Sequence, residues 1–95
     1  MTAKLIKERA MIPNIIIYSA SHCSYCVRAK DLLKHKGLSF TEILVDKDDQ
    51  KREEMIAKTN RYTVPQIFIH DQHIGGYDDL YALERSGKLT ELLEP

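Results

Sequence analysis

The chain carries no excess of either charge and no long apolar run. Its 95 residues include 14 Lys and Arg against 14 Asp and Glu, so its formal net charge at pH 7 is zero. A balanced chain offers no basic field for nucleic acid and no polybasic segment for an anionic membrane surface. No stretch reaches the roughly 18 apolar residues that a membrane-spanning helix needs. We therefore expect neither a nucleic-acid partner nor a membrane partner.

The first residues also lack the features of a secretory signal. Charged side chains are scattered through residues 1–13, whereas a signal needs an uninterrupted apolar core and a small-residue cleavage site. This segment is predicted to be an N-terminal extension, and the protein to be cytoplasmic. The remaining residues, 14–95, suffice for one hydrophobic core and not for two. At 43% hydrophobic and 29% charged residues, the composition is that of a folded globular protein.

The spacing of apolar residues predicts alternating strands and helices. Residues 14–20 form a continuous apolar run, which is typical of a strand buried on both faces. From Ser24 the apolar residues follow helical spacing until Gly37. Further strands are predicted at 39–45, 64–70 and within 71–77, and further helices at 46–60 and 78–87, with a final helical turn in 88–95. The order β-α-β-α-β-β-α predicts an α/β fold with a four-stranded mixed sheet and helices on its faces, because a βαβ unit needs parallel strands and the last two strands are close enough for a hairpin.

The only two cysteines, Cys23 and Cys26, stand where the first predicted helix begins. Free backbone N–H groups and the helix dipole at this end stabilise an anion. The thiolate is the nucleophile in thiol–disulfide exchange, and Cys-x-x-Cys pairs at helix starts are often activated. Cys26 begins the apolar stripe, so its sulfur is expected to be less exposed than that of Cys23. An exposed attacking thiol beside a recessed partner is what a dithiol oxidoreductase needs.

Two other interpretations of the cysteine pair are weaker. A structural disulfide between neighbours so close in sequence constrains the unfolded chain little, and a reducing cytoplasm opposes it. A zinc site would combine the cysteines with His22, or with His70 and His73. The last two histidines lie far along the chain, at a strand end and turn where a spacing of three does not put both on one face. We therefore expect no protein-only metal site.

The chain resembles a glutaredoxin. The resemblance is carried by C-S-Y-C at 23–26, by RYTVPQIFIHDQHIGGYDDLYAL at 61–83, and by the spacing between these segments. T-V-P together with G-G-x-D behind C-x-Y-C is specific, whereas C-x-x-C alone is not. The W-C-G-P-C of thioredoxin is absent, and the chain has no Trp. The resemblance covers about residues 14–93, and it implies a thioredoxin-like three-layer sandwich.

The resemblance implies glutathione as reductant and co-substrate, and it assigns roles to particular residues. Cys23 corresponds to the nucleophilic cysteine and Cys26 to the resolving one. Thr63, Val64 and Pro65 correspond to the T-V-P loop, whose proline is cis. In the family the backbone of Val64 pairs with the cysteinyl part of glutathione, as a strand edge pairs with a peptide.

Four further residues correspond to glutathione contacts. Tyr77 and Asp78 match the positions that hold the γ-glutamyl end, where helix N-terminal N–H groups favour a carboxylate. Arg52 matches a position that often contacts the glycyl carboxylate, and Tyr25 matches the aromatic residue beside the thiol. Taken alone, Asp78 is also explained as a helix cap and Arg52 as a surface arginine.

Two positions depart from the family pattern. Ala20 stands where the family usually has a lysine that stabilises the thiolate and helps to bind glutathione. Lys4, Lys7 or Arg9 of the extension are the candidates to replace that charge. Ser24 stands where a proline usually separates the cysteines, and some family members with serine or glycine there hold a [2Fe–2S] cluster between two protomers.

Three functions are consistent with these features. The first is a monomeric, glutathione-dependent thiol–disulfide oxidoreductase whose partners are disulfide-bonded or glutathionylated proteins. The second is a homodimer that holds a [2Fe–2S] cluster, with Cys23 and glutathione as ligands. The third is a redox-inert interaction domain with an ordinary thiol and no affinity for glutathione. The first is the function that the sequence favours.

Overall fold

A computed structural model describes residues 13–94 of the chain. Residues 1–12 and Pro95 lie outside the described residues, and so do the contributions considered for Lys4, Lys7 and Arg9. The division between an extension and a domain at residue 13 therefore stays a prediction.

The described residues form strands and helices in the order β-α-β-α-β-β-α-α. The strands are β1 (Ile15–Ser19), β2 (Thr41–Leu44), β3 (Gln66–Ile69) and β4 (Gln72–Gly75). The helices are α1 (Ser24–His35), α2 (Asp49–Thr59), α3 (Tyr77–Ser86) and α4 (Lys88–Leu93). Every predicted element is present, and most are shorter at their ends than predicted. No helix within residues 13–94 has the length and apolar character needed to cross a membrane.

The strands form one mixed sheet in the order β2-β1-β3-β4. Strand β1 runs parallel to β2, with α1 as the crossover, and antiparallel to β3. Strands β3 and β4 form an antiparallel hairpin. His70 and Asp71 connect them with φ values of 50° and 66°, the left-handed conformation that a two-residue hairpin turn requires. The predicted four-stranded mixed sheet is confirmed.

The sheet separates two apolar clusters, because successive strand residues point to opposite faces. On one face, β1 and β3 pack against Ala29 and Leu33 of α1, Leu80 of α3 and Leu89 of α4. On the other face, Tyr18 and Phe68 pack with Met55 of α2. Helices on both sides of a central sheet make the predicted three-layer sandwich.

The helix boundaries follow from caps that the apolar pattern does not reveal. The predicted start of α2 at residue 46 was too early, because the side chain of Asp48 accepts hydrogen bonds from the N–H groups of Gln50 and Lys51 and so makes Asp48 the cap. The same helix is capped at its C-terminus by Asn60, which follows Thr59 and adopts a left-handed φ of 58°. Helix α3 begins one residue earlier than predicted because Gly76 is its cap.

Candidate active site

Cys23 is placed at the N-terminus of α1 by the connection from β1. It is the N-cap residue, and its sulfur accepts a hydrogen bond from the backbone N–H of Cys26 at 3.1 Å. The connection is held by the N–H of Ser21, which donates to the carboxylate of Asp46 at 3.1 Å. The partly exposed Cys23 therefore places its sulfur at the helix start, in contact with one of the free N–H groups of the first turn.

Cys26 differs from Cys23 in burial and in protonation. Its side chain is 0% exposed, whereas Cys23 is partly exposed, and both are free thiols. Burial, and then the hydrogen bond with Cys23, raises the pKa of Cys26 to about 12. Cys26 therefore stays protonated at neutral pH, and of the two sulfurs only that of Cys23 is accessible.

The loop of Thr63, Val64 and Pro65, which precedes β3, faces Cys23. The Val64–Pro65 peptide bond is cis. The carbonyl oxygen of Val64 lies 3.9 Å from the sulfur of Cys23. The loop thus brings an extended backbone segment beside the sulfur.

A cleft of about 210 Å³ begins beside this loop. It is lined by Tyr25, Arg61, Thr63, Val64, Pro65, Gln66, Gly76, Tyr77, Asp78 and Asp79. Six of the seven predicted glutathione contacts are in this lining. The structure therefore brings together residues that lie far apart in the sequence, on α1, on the loop before β3 and on α3.

The exception is Arg52, which is exposed on α2 and is not among the residues that line the cleft. The cation in the lining is Arg61, whose guanidinium lies 3.4 Å from the carboxylate of Asp79. The role predicted for Arg52 stays a prediction. The resemblance drew attention to the segment that contains Arg61, but not to its charge.

The far end of the cleft is the N-terminus of α3. The N–H of Gly76 donates to the carboxylate of Asp79 at 3.0 Å, so Asp79, and not Asp78, provides the side-chain cap. Gly75 has a φ of 122°, and a side chain there would collide with that carboxylate. Asp78 is exposed and remains available to the cleft, together with the free N–H groups of the first helical turn.

Aromatic rings form one wall of the cleft. Tyr25 is 52% exposed, and its ring centroid lies 6.3 Å from that of Tyr77. The guanidinium of Arg28 lies 5.4 Å from the centre of the Tyr25 ring. This wall gives the cleft an apolar surface for a ligand.

The histidines considered for zinc have other contacts. The ring of His70 lies 3.4 Å from the carbonyl oxygen of Leu93, and that of His73 lies 2.7 Å from the amide oxygen of Gln66. Within residues 13–94, no group of three or more Cys, His, Asp or Glu side chains is arranged to hold a metal ion.

Sequence reasoning missed Arg61, Gln66, Gly76 and Asp79 as lining residues. Gln66 was assigned simply to the third strand, although it is 1% exposed. A polar residue within an apolar strand was the signal that marked it, because a buried amide needs hydrogen-bond partners.

Comparison with known proteins agrees with this geometry. The glutaredoxin family model matches residues 15–74. Glutaredoxin 3 of Escherichia coli K12 is 57% identical over 81 residues, covering 85% of this chain and 98% of that protein. The solution structure of glutaredoxin from Brucella melitensis is 51% identical, with a TM-score of 0.76 and coverage of 85% of this chain and 88% of that one.

A more distant structure resembles the fold equally well. The crystal structure of a buckwheat glutaredoxin–glutathione complex has a TM-score of 0.79 at 29% identity, and it covers 97% of this chain and 87% of that chain. Together with the family match and the helix-capping Cys23, these similarities show that the chain belongs to the glutaredoxin family of glutathione-dependent disulfide oxidoreductases.

Proposed function

We propose that this glutaredoxin reduces glutathione mixed disulfides and protein disulfides through the thiolate of Cys23. The observation that carries the proposal is the difference between the two sulfurs. Cys23 is partly exposed and accepts a helix N–H at 3.1 Å, whereas Cys26 is buried with a pKa raised to about 12. A nucleophile and a protected resolving thiol are thereby distinguished before any substrate binds.

Glutathione is proposed to lie along the cleft with its sulfur towards Cys23. The backbone at Val64 offers its cysteinyl part a strand-like partner. The free N–H groups at the start of α3 suit the γ-glutamyl carboxylate. Arg61, in the same lining, supplies positive charge for an anionic tripeptide. The buckwheat relative, solved as a glutathione complex, supports this choice of ligand.

The proposed reaction with a glutathione mixed disulfide uses Cys23 alone. The Cys23 thiolate attacks the glutathione sulfur, forms a Cys23–glutathione disulfide and expels the substrate thiolate, which takes up a proton. A second glutathione thiolate attacks the glutathione sulfur of this intermediate. Oxidised glutathione leaves, and the Cys23 thiolate is regenerated.

The proposed reaction with a protein disulfide also uses Cys26. Attack by Cys23 leaves a mixed disulfide with the substrate and releases one substrate thiolate. Cys26 gives its proton to that leaving thiolate and attacks the Cys23 sulfur, so the second substrate sulfur leaves and a Cys23–Cys26 disulfide forms. Two glutathione molecules then reduce this disulfide and are oxidised to one glutathione disulfide.

Turnover of a glutathionylated peptide by matched serine variants tests this assignment. We expect Cys26→Ser to keep most of the wild-type rate, because only Cys23 acts on a mixed disulfide. Cys23→Ser should lose at least about 100-fold, since no other described thiol is exposed. Full turnover by Cys23→Ser would show that the nucleophile is assigned wrongly.

Ser24 motivates a second candidate function, a glutathione-ligated [2Fe–2S] homodimer. Ser24 is exposed at the first position of α1, beside the accessible sulfur of Cys23. One protein thiolate per protomer is too few for a cluster, so the cluster would need two protomers and two glutathione thiolates. Anaerobic reconstitution with iron, sulfide and glutathione should then yield a brown dimer. A colourless monomer under these conditions would exclude this function.

A further inference from the structure

We propose that His73 is a positioning residue for the glutathione site, because it holds the Thr63–Pro65 loop beside Cys23 through the side chain of Gln66. This inference rests on the proposed function. It assigns a role in the reaction to a strand residue that does not line the cleft.

The side chain of Gln66, on β3, is hydrogen-bonded to the Thr63–Pro65 loop. Its amide nitrogen donates to the backbone oxygen of Thr63 at 3.1 Å and lies 3.4 Å from the hydroxyl of Thr63. Both contacts are to the residue that precedes Val64, whose carbonyl oxygen faces the sulfur of Cys23. One buried amide thus ties the loop to β3.

His73 holds the other end of the same amide. The amide oxygen of Gln66 lies 2.7 Å from Nε2 of His73. Because a carbonyl oxygen can only accept, Nε2 carries the proton and donates it. A reversed amide would place its nitrogen against the imidazole donor and its oxygen against the carbonyl of Thr63. The carbonyl of Thr63 and the imidazole N–H therefore favour the same amide orientation, and together they hold Gln66 against the loop.

The imidazole is itself held in place. His73 is the register partner of Phe68, and its ring lies 5.1 Å from the Phe68 ring at an angle of 32°. Gln66 and Phe68 point to the same face of β3, so the hairpin register brings all three side chains together. Burial, and then the charge of Arg61, lowers the pKa of His73, while Asp79 opposes the change. At neutral pH the ring is therefore neutral, and its one proton is on Nε2.

A displaced loop should weaken the binding of glutathione more than it slows the chemical step at Cys23. The Cys23 sulfur is supported by α1, whereas Val64 depends on the loop. A loss of binding that is common to the ground and transition states raises KM and leaves kcat unchanged. His73→Leu should therefore raise the KM for glutathione about 10-fold, with kcat within about 2-fold of wild type.

A conservative variant separates this role from a general effect on stability. The terminal amide nitrogen of His73→Gln can occupy the position of Nε2 and donate to Gln66, so this variant should restore a near-wild-type KM. His73→Asn is polar but too short, and should behave like His73→Leu. It also serves as the loss variant if His73→Leu fails to fold. Gln72→Leu, at an exposed position on the same strand, is the matched control and should leave KM unchanged.

A double-mutant cycle tests whether His73 acts through Gln66. Gln66→Met removes the amide while keeping the side chain's length, and it should raise KM by itself. If the histidine acts only through this amide, adding His73→Leu to Gln66→Met should raise KM no further. Additive effects of the two substitutions on KM would overturn the inference, and so would an unchanged KM in both His73→Leu and His73→Asn. In either case, normal turnover by the wild type would leave the proposed function standing. An inactive wild type would overturn both.

Discussion

At the scale of single residues, the two cysteines show how position determines reactivity. They share a motif and a side-chain type and lie three residues apart, yet Cys23 caps α1 and Cys26 belongs to the core. The free N–H group that contacts the sulfur of Cys23 is a property of any helix start. The burial that keeps Cys26 protonated is a property of the apolar stripe on α1.

This difference predicts selective alkylation. With its pKa raised to about 12, Cys26 is almost wholly protonated at pH 7. Iodoacetamide at pH 7 should therefore modify Cys23 and leave Cys26 unmodified, as measured by peptide mass spectrometry. Cys26 should also remain slow in Cys23→Ser, because burial is the larger cause of its raised pKa. Equal labelling of both cysteines in the folded protein would contradict this prediction.

Ala20 supports a second residue-scale prediction. It stands three residues before Cys23, and it is only half-buried. In Ala20→Lys, a cation near the sulfur should favour the thiolate and attract the carboxylates of glutathione. We expect kcat/KM for glutathione to rise about 3-fold at low salt, and the gain to shrink as salt is added. Ala20→Gln is the uncharged control, and an equal gain there would refute the electrostatic explanation.

At the scale of elements, caps and turns set the geometry that the cleft needs. The start of α3 requires a glycine followed by an exposed N-terminal turn, and Asp79 caps this turn by accepting from Gly76. The first turn of α3 lines the cleft, so the shape of the cleft changes if the start of this helix moves. A single methyl group is enough to test this dependence.

Gly75→Ala should be much more destabilising than Gly87→Ala. Both glycines have positive φ, 122° and 80°, but only at Gly75 does a built side chain collide with another group, the carboxylate of Asp79. Strain alone should cost Gly87→Ala about 1 kcal/mol of unfolding free energy. Collision and loss of the cap should bring the cost for Gly75→Ala to about 3 kcal/mol. Urea denaturation of the two variants measures the difference, and equal costs would contradict the role given to Asp79.

The elements were largely predictable from the sequence, because apolar spacing reports directly on burial. The strand at Ile15–Ser19 and the helix at Ser24–His35 both follow from that spacing. Their ends were less predictable, since caps such as Asp48 depend on single hydrogen bonds. The cysteine pair was found from its chemistry. The contact between His73 and Gln66 was not predictable, because it depends on the register of a hairpin.

At the scale of the whole molecule, carboxylates connect helices to the sheet on opposite faces. Glu42 of β2 accepts from Lys30 of α1 at 2.8 Å and from the hydroxyl of buried Ser19. On the other face, Glu54 of α2 accepts from the hydroxyl of Tyr18 at 2.6 Å. These hydrogen bonds lower the pKa of both carboxyl groups, the first chiefly through Lys30 and the second chiefly through Tyr18.

The two carboxylates predict how stability falls in acid. A folded-state pKa below the unfolded value of about 4.3 means that the stabilisation is fully present above that value and is lost as pH falls through the folded pKa. Glu42→Gln should therefore unfold at lower urea concentration than wild type at pH 7, by about 1 kcal/mol for a partly exposed pair, and Glu54→Gln should shift in the same direction. Both gaps should narrow by pH 3. Glu53→Gln, at an exposed position of α2, is the control and should follow wild type at both pH values. A gap that stays constant from pH 7 to pH 3 would show that these carboxylates act through packing and not through charge.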